Sequence, residues 1–285
     1  MKDKDLEKVG FGIALMFLLS WIWAYFIRGH LGLPAIVNTL IGIVVLYGIG
    51  LAIFRAITKN VEISEIRKNK PTTRTMVISF LLQFSAILIL TVLTVIFFKV
   101  TGREIGGNID ALTPIMLFQL LIFNPIVEEY VFRKLFADKL MKHGELFFML
   151  ISSFCFAIVH GVSLGIPQIA YTFILGMIWS YLYVRTGNIW ISVLMHSLSN
   201  LFGSVIIQTL QGISEPLMAV YTMGMMLLGI VGIILFFVNK KHILIDGDNK
   251  IMNAGVAKTM FTNKGILCYV FLTVVMIVLR TMQII

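Results

Sequence analysis

Apolar runs long enough to cross a bilayer recur along this chain, near residues 9–27, 35–57, 76–98, 111–141, 146–162, 167–184, 188–209, 217–238 and 266–284. About 20 apolar residues in α-helical form cover the roughly 30 Å hydrocarbon core. Because lipid offers no hydrogen bonds, a spanning segment must pair every backbone N–H and C=O internally, and a continuous apolar run does so only as a helix. The sequence therefore predicts an all-α, polytopic integral membrane bundle of about eight or nine transmembrane helices. Composition agrees, with 59% hydrophobic and 13% charged residues among 285, which is not the balance of a soluble domain with one core.

The net charge of +9 would suggest nucleic acid in a soluble chain. Here it has a simpler origin, since nineteen of the 23 Lys and Arg fall on one side when the N-terminus is placed in the cytoplasm. That is the positive-inside pattern of membrane loops, and the expectation is an integral membrane protein with its N-terminus in the cytoplasm, with the bilayer and not nucleic acid as partner. The first run contains Trp21, Trp23 and Tyr25, exceeds a signal-peptide core and lacks a small-x-small cleavage site, so it reads as a retained anchor helix. Cys155 and Cys268 both sit in apolar runs, far apart, and indicate neither a disulfide framework nor a metal site. Nothing in the pattern sets an oligomeric state.

The fourth run carries Asn124-Pro125 at its middle, where proline removes a backbone donor and disfavours helix at the residue before it. The expectation is one Pro-broken helix, with two half-helices and a free N-terminus just after Pro125. Gly224, Gly229 and Gly232 in the eighth run suggest close helix contact. The segment 239–265 reads as a polar linker, which divides the chain into accessory helices at 1–75, a core at 76–209, and accessory helices at 210–285.

Against this background the polar residues inside the apolar runs stand out: Glu128, Glu129, Arg133, His160, His196 and Asn200. An ionisable group at bilayer depth costs at least about 2.5–3.5 kcal/mol, so a functional site is the default reading. From Glu129 to His143 and from Leu146 to His160 the paths are equal, about 21 Å of helix each, so a hairpin near Gly144 brings the glutamates and His160 to one depth. His196 reaches a similar level from the start of its own helix. Glu129 with Arg133, Phe156 with His160, and His196 with Asn200 are i,i+4 pairs on shared helix faces, whereas Glu128 is turned about 100° from Glu129. One glutamate is thus held by the arginine and the other left for chemistry, with Phe156 as a wall beside His160.

These motifs, Glu128-Glu129-Tyr-Val-Phe-Arg133, Phe156-x-x-x-His160 and His196-x-x-x-Asn200, in this order on membrane helices, resemble those of the CPBP family of CAAX-protease and bacteriocin-processing (Abi-type) intramembrane proteases. The resemblance covers about 110–205. The turn Tyr183-Val-Arg185-Thr-Gly187-Asn188-Ile-Trp190 is also similar, whereas Lys134 departs from the glycine that members often carry after the arginine. The resemblance implies peptide-bond hydrolysis, with Glu128 and His160 activating water, His196 and Asn200 holding the oxyanion, and Glu129 and Arg133 fixing the site. It implies a peptide or protein substrate reached from the membrane or the cytoplasm, either a prenylated C-terminus or a leader, pheromone or bacteriocin precursor.

The residues alone leave rivals open. Glu128, His160 and His196 also form a carboxylate-plus-two-imidazole set of the kind that holds catalytic zinc. Gly161-Val-Ser163-Leu-Gly165 matches a serine nucleophile elbow but lacks its strand–turn–helix context; a rhomboid-like pairing of Ser163 with His196 is the remaining serine reading. An ion-coupled transporter would likewise place Glu, His and Arg at mid-depth on a Pro-broken helix, and a catalytically silent scaffold or immunity protein would carry the same helices.

Overall fold

The computed structural model describes residues 4–64, 66, 70–102, 112–243 and 254–284. Lys2, Arg67, Lys68, Arg103 and Lys250 of the charge pattern, and residues 244–253 of the expected linker, lie outside them. Among the described residues the regular structure is all helix, with no strand. Nine long helices follow one another there: α1 (Lys4–His30), α2 (Ala35–Thr58), α3 (Thr73–Thr101), α4 (Pro114–His143), α5 (Glu145–Leu164), α6 (Pro167–Thr186), α7 (Ile189–Ile213), α8 (Glu215–Val238) and α9 (Lys264–Thr281). All but α6 are both long and apolar enough to cross a membrane. Helix α6 has the length, but Gln168, Tyr171, Thr172, Tyr181, Tyr183 and Arg185 make it more polar.

The chain forms two compact units. One comprises Met1–Ser64, Asp138–Lys142 and Ile251–Ile285, the other Glu65–Ala137 and His143–Lys250. In the first, α1 packs on α2 and α9 around Leu6, Val9, Ile13, Met16, Phe54 and Tyr269. A Cβ at Gly10 would lie 2.2 Å from the Gly265 carbonyl carbon, so only glycine permits that approach. Lys139 Nζ donates to the Val61 carbonyl at 2.8 Å, and Lys142 pairs with Asp5.

In the second unit α5 and α6 pack as an antiparallel hairpin, α3 lies against α6 and α8, and α7 crosses α4 and α6. Gly229 and Gly232 of α8 meet the α3 backbone, where a Cβ would come within 2.6 Å of Ser85 N and Leu81 C. Gly224, expected at the same contact, faces open space, because it lies outside the face that meets α3. The turn between α6 and α7 is set by two residues. Gly187 takes φ +61° and ends α6, and the Asn188 side chain caps α7 by accepting from Trp190 N–H at 3.0 Å.

The break expected at Pro125 takes the form of a change in hydrogen-bond register. No pair of half-helices forms: α4 is continuous, with π-helical turns at Gln119–Phe123 and Tyr130–Leu135. Asn124 N–H reaches back five residues, to the Gln119 carbonyl. This wider turn makes room for the pyrrolidine ring, which in a tight α-turn would meet the carbonyl four residues back. The free helix N-terminus expected to face the polar residues is consequently not formed.

Candidate active site

All of the polar residues singled out by the sequence lie in the second unit. Glu129 and Arg133 of α4 are fully buried and form an ion pair, with Nε 2.9 Å from Oε2. Arg133 Nη1 donates to Ser152 Oγ on α5 at 3.2 Å, and that hydroxyl donates to the Phe132 carbonyl. Nη2 has no hydrogen-bond acceptor among the described residues. Its guanidinium instead lies over two aromatic faces, 5.0 Å from the Phe156 ring centroid and 5.7 Å from that of Trp179, a contact that compensates a poorly hydrated cation.

Glu129 also meets His196, whose Nδ1 is 3.1 Å from Oε1. A carboxylate paired with arginine only accepts, so Nδ1 of His196 carries a proton. The same logic applies to His160, whose Nδ1 is 2.7 Å from the Phe156 carbonyl. Both imidazoles are therefore oriented by an acceptor behind them and present Nε2 forward. Both Nε2 atoms are 3.8 Å from Oε2 of Glu128. Glu128 and His160 are 16% and 19% exposed, against 5% for His196, so the opening of the site lies on the Glu128–His160 side.

Sequence reasoning missed the platform beneath His196. Trp179 of α6 stacks on the imidazole at 4.1 Å with an 18° interplanar angle, and its Nε1–H donates to Gln83 Oε1 of α3 at 2.8 Å. Gln83 is 2% exposed and also turns its amide to Met195 Sδ, while Ser192 Oγ donates to the Trp179 carbonyl. A signal for Gln83 was present, because a carboxamide inside an apolar run is out of place in the same way as the other polar residues used. Phe156 stands where its spacing implies, 4.4 Å from the His160 ring and edge-on to His196 and Trp179.

Asn200 does not join this cluster directly. Its Nδ2 donates to the Leu120 carbonyl on α4 at 2.7 Å. Ser163 is exposed and directs its hydroxyl to the His160 carbonyl, and both ring nitrogens of His196 face glutamates, so the serine pairing has no geometry here. Glu128, His160 and His196 do not close to a ligand set either: among the described residues no group of three His, Cys, Asp or Glu is placed to hold a metal ion. Neither Cys155 nor Cys268 forms a disulfide.

The fold and this centre define a polytopic membrane protein with a buried Glu–Arg–His network opening on a second glutamate and histidine. Residues 110–202 match the model of the family described as type II CAAX prenyl endopeptidase Rce1-like, which bears out the resemblance carried by the three motifs. The chain is similar to the "Putative membrane peptidase YdiL" of Bacillus subtilis, 32% identical over 135 residues, 45% of this chain and 53% of that protein. It is also similar to the "Membrane-embedded CAAX protease MroQ" of Staphylococcus aureus, 32% identical over 114 residues, 35% of this chain and 45% of that protein. The chain thus spans about half the length of the curated relatives it matches. No solved structure matches it.

Proposed function

We propose that this protein is an intramembrane endopeptidase whose reaction centre is Glu128, His160 and His196, within a protease core at 76–209. The observation that carries the reading is Glu128 Oε2 standing 3.8 Å from Nε2 of both histidines. That gap is too long for a direct hydrogen bond and suits one bridging water with legs of about 2.8 Å. A water there donates one proton to Glu128 and the other toward Nε2 of His160, which is a bare acceptor because its Nδ1–H is committed to Phe156 O. Glu128 takes a proton as the water oxygen attacks the peptide carbonyl, and later returns it to the departing amine.

His196 serves the oxyanion from Nε2–H. Since Nδ1–H is held by Glu129, the ring must carry both protons to do so, as an imidazolium with a carboxylate behind it and the Trp179 ring on its face. Glu129 and Arg133 orient this donor without touching substrate. The arrangement is that of a carboxylate–histidine pair that stabilises the charge formed in the transition state.

The substrate classes follow from the family: a prenylated C-terminal peptide, or a leader, pheromone or bacteriocin precursor, reaching the site from the membrane or from the cytoplasmic side. The N-terminus lies in the cytoplasm of a bacterial cell. To test the reading, the purified protein in liposomes is given a farnesylated C-terminal peptide and a hydrophobic leader peptide, and products are identified by mass spectrometry in H₂¹⁸O. One ¹⁸O in a new carboxyl terminus is expected; ion or solute flux without cleavage would make the protein a transporter, and neither activity a scaffold.

A further inference from the structure

In α4 the register change at Pro125 leaves the Leu120 carbonyl without its usual helix donor. Leu120 O would take its hydrogen bond from the N–H of residue 124 in an α-turn, or of residue 125 in a π-turn. Asn124 N–H is committed to Gln119 O, and Pro125 has no N–H. A carbonyl unpaired at membrane depth costs several kcal/mol. The donor comes from another helix: Asn200 Nδ2 of α7, at 2.7 Å.

The position of this bond matters for the chemistry. The higher-numbered contact on α7, Asn200, meets the lower-numbered one on α4, Leu120, whereas His196 meets Glu129, so the two helices run antiparallel. From the Asn200–Leu120 bond, His196 lies one turn back along α7. In the same direction Asn124 to Glu128 is one turn forward along α4, and an acceptor such as Leu120 O points toward the level of Asn124. The Asn200–Leu120 bond therefore ties α4 to α7 one turn away from the His196–Glu129 contact, and with it sets the axial register at which Glu128 and His196 face each other.

We propose that Asn200 is a positioning residue: its carboxamide replaces the N–H that Pro125 lacks and locks α4 to α7, holding Glu128 opposite His196. This rests on the reading of Glu128 and His196 as the reaction centre, and it differs from a role for Asn200 as oxyanion donor in one testable respect. If the amide stands in for a backbone N–H, restoring that N–H removes the need for the amide. Pro125→Ala supplies it.

The experiment is a double-mutant cycle on the full-length protein in detergent, with Asn200→Ala and the volume-preserving Asn200→Leu, each made in the wild-type background and in the Pro125→Ala background. Thermal unfolding and cleavage of a fluorescence-quenched farnesylated C-terminal peptide are followed. With Pro125 present, both Asn200 variants are expected to melt about 5–10 °C lower, because the Leu120 carbonyl is then left unpaired. Their kcat is expected to fall about 10²-fold, the effect of misplacing a reacting group by about 1 Å. In the Pro125→Ala background both losses should shrink, to within about 1 °C and about threefold, because the two substitutions then act on one shared bond. Equal losses in the two backgrounds would overturn the proposal, and equal losses in kcat alone would return Asn200 to the oxyanion. If the wild-type protein does not cleave the peptide, the proteolytic reading fails for this substrate class, and the melting cycle by itself decides whether Asn200 substitutes for the missing N–H.

Discussion

Arg133 lets the burial of charge be separated from the chemistry it supports. Arg133→Met keeps much of the side-chain length over Phe156 and Trp179 but leaves Glu129 as a fully buried carboxylate whose strongest partner is gone. Removing one member of such a pair costs about 3–5 kcal/mol, whereas replacing both by apolar residues of similar volume is often neutral or stabilising. For a chain of this size the single variant should melt about 10 °C lower, and Glu129→Leu with Arg133→Met should recover most of that loss. The double variant should nevertheless be inactive, because His196 Nδ1 loses the acceptor that holds it. The assay is thermal unfolding in detergent followed by tryptophan fluorescence, with cleavage measured on the same samples. A double variant as unstable as the single one would refute the reasoning, since the loss would then lie in packing and not in a stranded charge.

Three other outcomes follow from the same geometry. Gln83→Leu leaves the buried Trp179 N–H without an acceptor, which costs about 1–3 kcal/mol, and it should lower both the melting temperature and kcat through the loosened His196 ring; unchanged kcat would remove Trp179 from the positioning of that ring. Gly229→Leu should disrupt the α3–α8 contact and reduce the yield of folded protein, while Gly224→Leu should behave as wild type; equal behaviour of the two would show that α8 does not pack on α3 by that face. His196→Ala should slow cleavage by roughly 10²–10³-fold, as loss of an oxyanion donor does, with no change in bound metal measured by mass spectrometry. Stoichiometric zinc lost together with activity would make this a zinc enzyme instead.

What was legible in the sequence was what depends on spacing within one helix or on the length of a hairpin. Glu129 and Arg133 are four residues apart and so pair; Glu128, turned by about 100°, does not join them and faces the histidines. Equal paths on either side of Gly144 bring His160 to the depth of Glu128. What was not legible depends on how helices slide and rotate against each other. Nothing local distinguishes Trp179 from a packing aromatic, and it becomes the bed of His196 only through the α6–α7 crossing. Pro125 announced a break, but the residues around it do not say whether the helix separates or widens; α4 widens by a π-turn, and Asn200 of another helix donates to the Leu120 carbonyl. Gly224 shares its composition with Gly229 and lacks only the neighbour.

The central claim is that Glu128 is the base that activates water, and Glu128→Gln tests it most directly, because the amide keeps the shape of the side chain and cannot accept the proton. The measurement is kcat on the farnesylated or leader peptide that the wild-type protein cleaves, with thermal unfolding of the same preparation as a check on folding. Loss of a general base predicts a fall of about 10²–10⁴-fold with an unchanged melting temperature. Turnover within about tenfold of wild type, in protein that melts normally, would contradict the assignment.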